Sequence, residues 1–473
     1  MRRSIVVAAA LLSGLLGALP ALAATRQVDP EPAVEVAVER DGTLLHIDVS
    51  LPADAPVWAF ARSSLIMESR QPWRLEQWRV LTPGVLLERI GDYDVLRAEG
   101  GGPVPRQIEI EARPRHETLE ADYSILTFTD GSIAVPTGIF DLIALDSMEA
   151  AAALPADLNG FDIAAGPARI RWSDRAGQVL FMGERYDGVS SQGAETYILF
   201  GQAEMTLDER MATVVDPELP GWITQEIQTL SPRVADYYAD RLGPGAFDRP
   251  TIMASWNGPT PNLVSLGGSV MPGLIVMSLE GEGVVEEQTA IRSELWRFIS
   301  HEAAHFWLGQ TVRYAFARDA WITEGGADLM AYHASVALDP DFDAAAEIQG
   351  ALDNCETLAI APVSEAGQRG EHRAFYACGA VFALVAQGVQ RRATGGDWFD
   401  FLRPLMEQNR DDGILTRQEW LDHLTQVSGD PSLAADIALL LDQGATDPQP
   451  VLAGLFARSG IDFHVEDGRL RLD

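Results

Sequence analysis

His301-Glu302-Ala303-Ala304-His305 is the part of this sequence best equipped to do chemistry. Histidines four residues apart share one face of a helix, so both imidazoles reach a single ion. Glu302 lies about 100° further round the helix, offset from the metal axis, where a base acting on water belongs. After a gap of eighteen residues comes Glu324, in Trp321-Ile322-Thr323-Glu324-Gly325-Gly326-Ala327-Asp328. A second helix starting near Thr323 brings its first turn back to the first helix and supplies a carboxylate. Two histidines and one glutamate leave the fourth position of a tetrahedral zinc ion open, the arrangement of catalytic rather than structural zinc, so one Zn2+ ion is expected. Asp328, one helical turn after Glu324, is placed to accept the other ring N–H of His301. Chance alone produces an H-E-x-x-H match in a chain of this size on the order of once in a hundred.

The elements that position these residues show in the hydrophobic periodicity. Leu295, Trp296, Phe298, Ile299, Phe306 and Trp307 flank the histidines and predict one long helix over 288–309. Before it, 222–242 carries apolar residues at helical spacing and stops at Gly243-Pro244-Gly245. A strand at 251–255 follows, then a Gly/Pro-rich segment and a second apolar stretch at 274–279. Helical patterns, including 373–390 and 418–427, run to the end. Residues 24–205 read as a sandwich-like β domain, with short apolar segments at 44–51, 107–112, 169–172 and 197–200 between Gly-, Asp- and Pro-rich turns. Nothing in that region looks catalytic, and His46 and His116 read as structural or solvated. The expected division is an export signal at 1–23, the β domain at 24–205, a catalytic domain at 206–405 and a helical region at 406–473.

The export signal rests on Arg2 and Arg3, an apolar run over 5–19, Pro20, and the small-x-small triplet Ala21-Leu22-Ala23. A periplasmic or secreted location follows, without stable membrane insertion after its removal. Cys355 and Cys378 are the only cysteines and, in an oxidising compartment, most simply form one disulfide, the alternative being two buried thiols. Lys+Arg number 35 against 69 Asp+Glu, a formal net charge of -34. That balance repels phosphate backbones and anionic lipid, so nucleic acid is excluded as a partner. The basic side chains other than histidine are all arginine, for which we have no functional account.

These motifs together resemble the aminopeptidase N family of gluzincin metallopeptidases, which carry H-E-x-x-H, eighteen residues and a Glu within Asn-Glu-Gly. Thr323 stands at the Asn position here and is expected to cap the second helix. The resemblance implies an α+β protein with a thermolysin-like catalytic domain. It also implies that Tyr376, in Phe375-Tyr376-Ala377-Cys378-Gly379-Ala380, donates to the transition-state oxyanion, with Cys378 replacing the family's lysine. A Cys355–Cys378 bridge would then steady the helix of Tyr376. Gly267, Gly268, Ser269 and Val270 fall where the family binds the substrate backbone. Val270 replaces the glutamate that grips a free amino group there, a departure that argues against aminopeptidase action and leaves peptide hydrolysis intact. The segment 440–463 is weakly similar to the end of the glycyl aminopeptidase family.

The leading expectation is therefore a zinc peptidase acting on peptides or proteins, either within chains or at ends recognised by another acid such as Glu280 or Glu282. A true aminopeptidase with a non-standard amine-binding acid and a non-catalytic zinc-binding scaffold are the competitors. Of the other histidines, only His372, one turn before Tyr376, is placed to line the cleft; His333, His423 and His464 read as ordinary.

Overall fold

The computed structural model describes residues 33–120, 122–158, 167–207, 211–247, 250–339 and 342–473. The export signal expected at 1–23 lies outside the described residues. Ala33–Asp473 forms one compact unit of mixed α and β structure.

Among the described residues, the strands before residue 201 form three sheets of six, four and five strands, where a sandwich has two. Alternating strands such as Glu35–Asp41, Leu44–Ser50 and Gln107–Ala112 turn Val36, Val38, Ile47, Ile108 and Ile110 inward. Together with Phe60, Leu142, Val135 and Phe200 from the other two sheets, they build one shared core.

A fourth sheet positions the site. Its order is Met205–Leu207, Ala212–Val215, Thr251–Trp256, Leu274–Glu280, Ser265–Met271. The three inner strands are parallel and both edges antiparallel. The inner strands are buried on both faces, hence their near-continuous apolar runs. Ile252, Trp256, Ile275 and Met277 face the helices. Met253, Leu274 and Val276 face the N-terminal sheets and pack on Phe128, Tyr197 and Leu199. Asp216 pins this junction, because its buried carboxylate accepts the backbone N–H groups of Thr129 (2.8 Å) and Trp256 (3.3 Å).

The helices Gly221–Leu242, Thr289–Ala304, Trp321–Leu338, Ala344–Leu358 and Arg373–Thr394 cover the other face and lead into a helical C-terminal portion. Cys355 and Cys378 are disulfide-bonded, joining the last two of these helices. Closing a loop of this length stabilises a fold by about 3 kcal/mol in the chain-entropy model.

Two expectations need correction. The first site helix ends at Ala304 rather than at Gly309, because the backbone N–H groups of His305, Phe306 and Trp307 bond three residues back (His305 to Glu302, 3.2 Å; Phe306 to Ala303, 3.2 Å). The C-terminal region is also not wholly helical: Phe463–Glu466 and Arg469–Leu472 pair as a hairpin. Asp467-Gly468 takes positive φ at both residues (50° and 77°), which is the two-residue turn such pairs favour.

Candidate metal centre and cleft

His301 lies in the last turn of Thr289–Ala304, and His305 follows as its C-cap. Past His305 the chain reverses through Gly309, whose φ of 148° is open to glycine. The reversal places the Leu308 carbonyl 3.0 Å from His305 Nδ1. A carbonyl only accepts, so Nδ1 carries a proton and Nε2 is left as the position for a metal ion. His301 Nδ1 sits 2.9 Å from Asp328 Oδ1 and donates to it by the same logic. The two Nε2 atoms thus face each other at 3.1 Å, each 3.5 Å from Glu324 Oε2. One ligand atom from each of these three residues lies within 4.8 Å of the others.

Lone pairs at this spacing, next to a carboxylate and largely shut off from water, repel unless a cation joins them. The electrostatics register that demand. Burial opposes a charge on His301, yet Asp328, then Glu324 and Glu302, push its pKa up to about 10. Burial works against Glu324 ionisation, yet the two histidines hold its carboxyl well below the usual range. The donor set is that of an open divalent site of the zinc type.

Asp328 lies one helical turn beyond Glu324 and is also approached by Arg297 Nη1 at 3.4 Å. Replacing Asp328 by Ala frees the His301 ring and its tautomer. Metal affinity should fall about 10–100-fold, read by competition with a chromophoric chelator.

Glu302 is 7% exposed and its carboxyl is pushed up by burial, with His301 and His305 pulling the other way. It lies against the edge strand Ser265–Met271. A Cβ on Gly268 would stand 3.0 Å from Glu302 Oε1 and 2.7 Å from Phe298 Cζ, so only glycine lets the strand come this close. Val270 shares that face and packs on the helical core. Gly267 and Ser269 point to the opposite face, by the period of two.

Tyr376 stacks on the His301 ring at 5.6 Å between centroids. The charge of Glu324, then burial, push its hydroxyl pKa well above the usual tyrosine value, so it stays a donor. What brings Tyr376 there is a close crossing of two helices at Gly325 and Gly379. A Cβ on Gly325 would meet the Gly379 backbone at 2.1 Å, and one on Gly379 would meet the Trp321 carbonyl oxygen at 2.3 Å. Gly379→Ala should therefore destabilise the protein by about 1–3 kcal/mol and lower turnover, because Tyr376 lies one turn away. An unchanged melting temperature would show that the helices have room to part.

Other expected residues fall elsewhere. Thr323 does not cap: the helix begins at Trp321 after a tight turn at Ala317–Asp319, and buried Thr323 Oγ1 donates to the Ala320 carbonyl at 3.1 Å. Glu280 pairs with Ser265 on the sheet face turned away from Glu302, and Glu282 is exposed on a following turn. His372 precedes the Tyr376 helix and feels the charge of Glu324 without bonding to it. His333 bonds Gln387, His423 packs on Phe401, and His464 lies beside Asp473. His116 bridges the Ile125 carbonyl and Ser278 Oγ, both at 3.0 Å, tying the N-terminal sheets to the cleft sheet. Tyr123, from the supposedly inert β region, reaches Val270; no sequence signal marked it.

No protein-family model and no curated protein matches this chain. Among solved structures it is similar to an aminopeptidase N family protein from Idiomarina loihiensis, at 10% identity with a TM-score of 0.57 over 89% of this chain and 78% of that one. It is also similar to an M1 zinc metallopeptidase from Deinococcus radiodurans, at 14% identity with a TM-score of 0.48 over 88% and 94% of the two chains. A variant of the latter enzyme bound to a Tyr-Ser-Ala substrate matches at 14% identity and a TM-score of 0.49, over 87% and 93%. The first likeness identifies the fold. The chemistry rests on the residues of this chain.

Proposed function

We propose that this chain is an exported zinc-dependent peptidase of the gluzincin type. The observation that carries the reading is the convergence of His301 Nε2, His305 Nε2 and a Glu324 oxygen, with Nδ1 of each ring held by an acceptor and Glu302 beside them. The aminopeptidase-N-like fold supports it.

His301, His305 and Glu324 would hold the ion. A zinc bound there supplies Lewis-acid chemistry, lowering the pKa of water and polarising a carbonyl. Glu302 takes the proton of the attacking water and passes it to the leaving nitrogen. Tyr376 donates a hydrogen bond to the oxygen on which negative charge develops. The open edge of Ser265–Met271 offers backbone groups to an extended peptide, as strand addition does. Water adds to the carbonyl carbon, the C–N bond breaks, and a carboxylate and an amine leave. Export draws support from the reading of residues 1–23 and from the disulfide, which suits an oxidising compartment.

The test is digestion of a peptide library with the cut positions read by mass spectrometry. Cuts that vanish with chelator and return with zinc support the proposal. A protein with stoichiometric zinc that leaves the whole library intact is a scaffold, and the proposal fails.

A further inference from the structure

Arg297 lies one helical turn before His301 on Thr289–Ala304, as Asp328 lies one turn after Glu324 on Trp321–Leu338. Residues four apart share a helix face, so the two pairs form two facing rungs between these helices. The inner rung is His301 with Glu324, Nε2 to Oε2 at 3.5 Å. The outer rung is Arg297 with Asp328, Nη1 to Oδ1 at 3.4 Å. A diagonal joins them, because His301 Nδ1 donates to the same Asp328 oxygen at 2.9 Å.

Arg297 is also gripped from the other side. It donates to Glu294 through Nη2 at 2.5 Å and Nε at 3.1 Å, a bidentate pair. Glu347, in the first turn of Ala344–Leu358, comes to 3.9 Å from Nε. The guanidinium is thus fixed by a carboxylate of its own helix and faces carboxylates from two others. Its planar fork has donors enough to hold Glu294 twice and still reach Asp328. Glu294 and Glu347 are half-buried, whereas Asp328 is buried. The network therefore runs from the protein surface to the ring of His301.

We propose that Arg297 is a positioning residue of the metal centre: anchored on Glu294, it holds Asp328 against His301 and so keeps the His301 ring aimed at the ion. Two effects of Arg297 oppose each other. Its positive charge repels a divalent ion, so by charge alone its loss would tighten binding. Its grip limits rotation of Asp328, and with it of His301, and lost order in such outer partners weakens binding. The grip prevails, because Glu294, bonded twice, already offsets the charge. This rests on the reading of His301, His305 and Glu324 as ligands, and the test separates the two.

Zinc affinity is measured by competition with a chromophoric chelator, together with the melting temperature of each metal-free protein. Arg297→Met, which keeps most of the stem without donors, should bind zinc about tenfold more weakly, the low end for loss of an outer partner. Arg297→Lys should fall between, because an ammonium can reach Asp328 but cannot also hold both Glu294 oxygens. Glu294→Gln keeps Arg297 and loosens its anchor, and should weaken binding by less than Arg297→Met. Zinc bound as tightly by Arg297→Met as by the wild type, or more tightly, overturns the proposal. So does a lowered metal-free melting temperature with unchanged zinc affinity, the mark of a purely structural ion pair. If Arg297→Met does not fold, wild-type affinity in the other two variants overturns it equally. A wild-type chain that takes up no zinc removes the ligand set and this inference with it, whereas unaltered affinity in the variants removes Arg297 alone.

Discussion

Glu302→Gln should retain the metal and lose turnover by about 10²- to 10⁴-fold, the usual contribution of a positioned general base. Glutamine keeps the volume and one acceptor oxygen, so the packing against Gly268 and Phe298 survives. It cannot take a proton. Glu302 contributes no ligand atom to the three-residue donor set, so bound zinc per chain stays the same. Metal content and peptide turnover measured on one preparation check both halves. Turnover near the wild-type rate would remove Glu302 from the mechanism.

His301→Ala should abolish both metal binding and activity. The remaining imidazole and carboxylate are too few donors for a stable tetrahedral ion, and Asp328 loses its hydrogen bond to His301 while keeping its ion pair with Arg297. Thermal unfolding gives a readout independent of activity. At free zinc 100-fold above the dissociation constant, linkage stabilises the native state by about 2.7 kcal/mol. The wild-type chain should therefore melt higher with added zinc and lower with chelator, whereas the His301→Ala chain should respond to neither. A zinc-dependent rise that persists in the variant would place the ion elsewhere.

Local chemistry is where the sequence was most legible. A spacing of four along a helix and a second helix eighteen residues on are short-range constraints, and the distances around Glu324 follow from them. Strands with clear alternation, such as Gln107–Ala112, or with a continuous apolar run, such as Tyr197–Phe200, were equally plain. The strand Ser265–Met271 was hidden, because glycines at 267 and 268 erase the alternation. Those glycines answer to Phe298 and Glu302, which are distant in sequence. Thr323 misled because helix capping depends on the preceding turn, and that turn runs into the helix without an extended residue to cap it.

The sequence by itself determined which three side chains form one donor set, the carboxylate beside them, the acidic net charge, and the mixed α and β composition, because each follows from residue type or from contacts within a few helical turns. Tertiary structure alone decided how Gly325 against Gly379 brings Tyr376 to His301, how closely the strand at Gly268 approaches Glu302, and that Tyr123 touches the cleft strand. Those are contacts between segments tens to more than a hundred residues apart, and their geometry is set by close packing across sheets and helices, which no local pattern encodes.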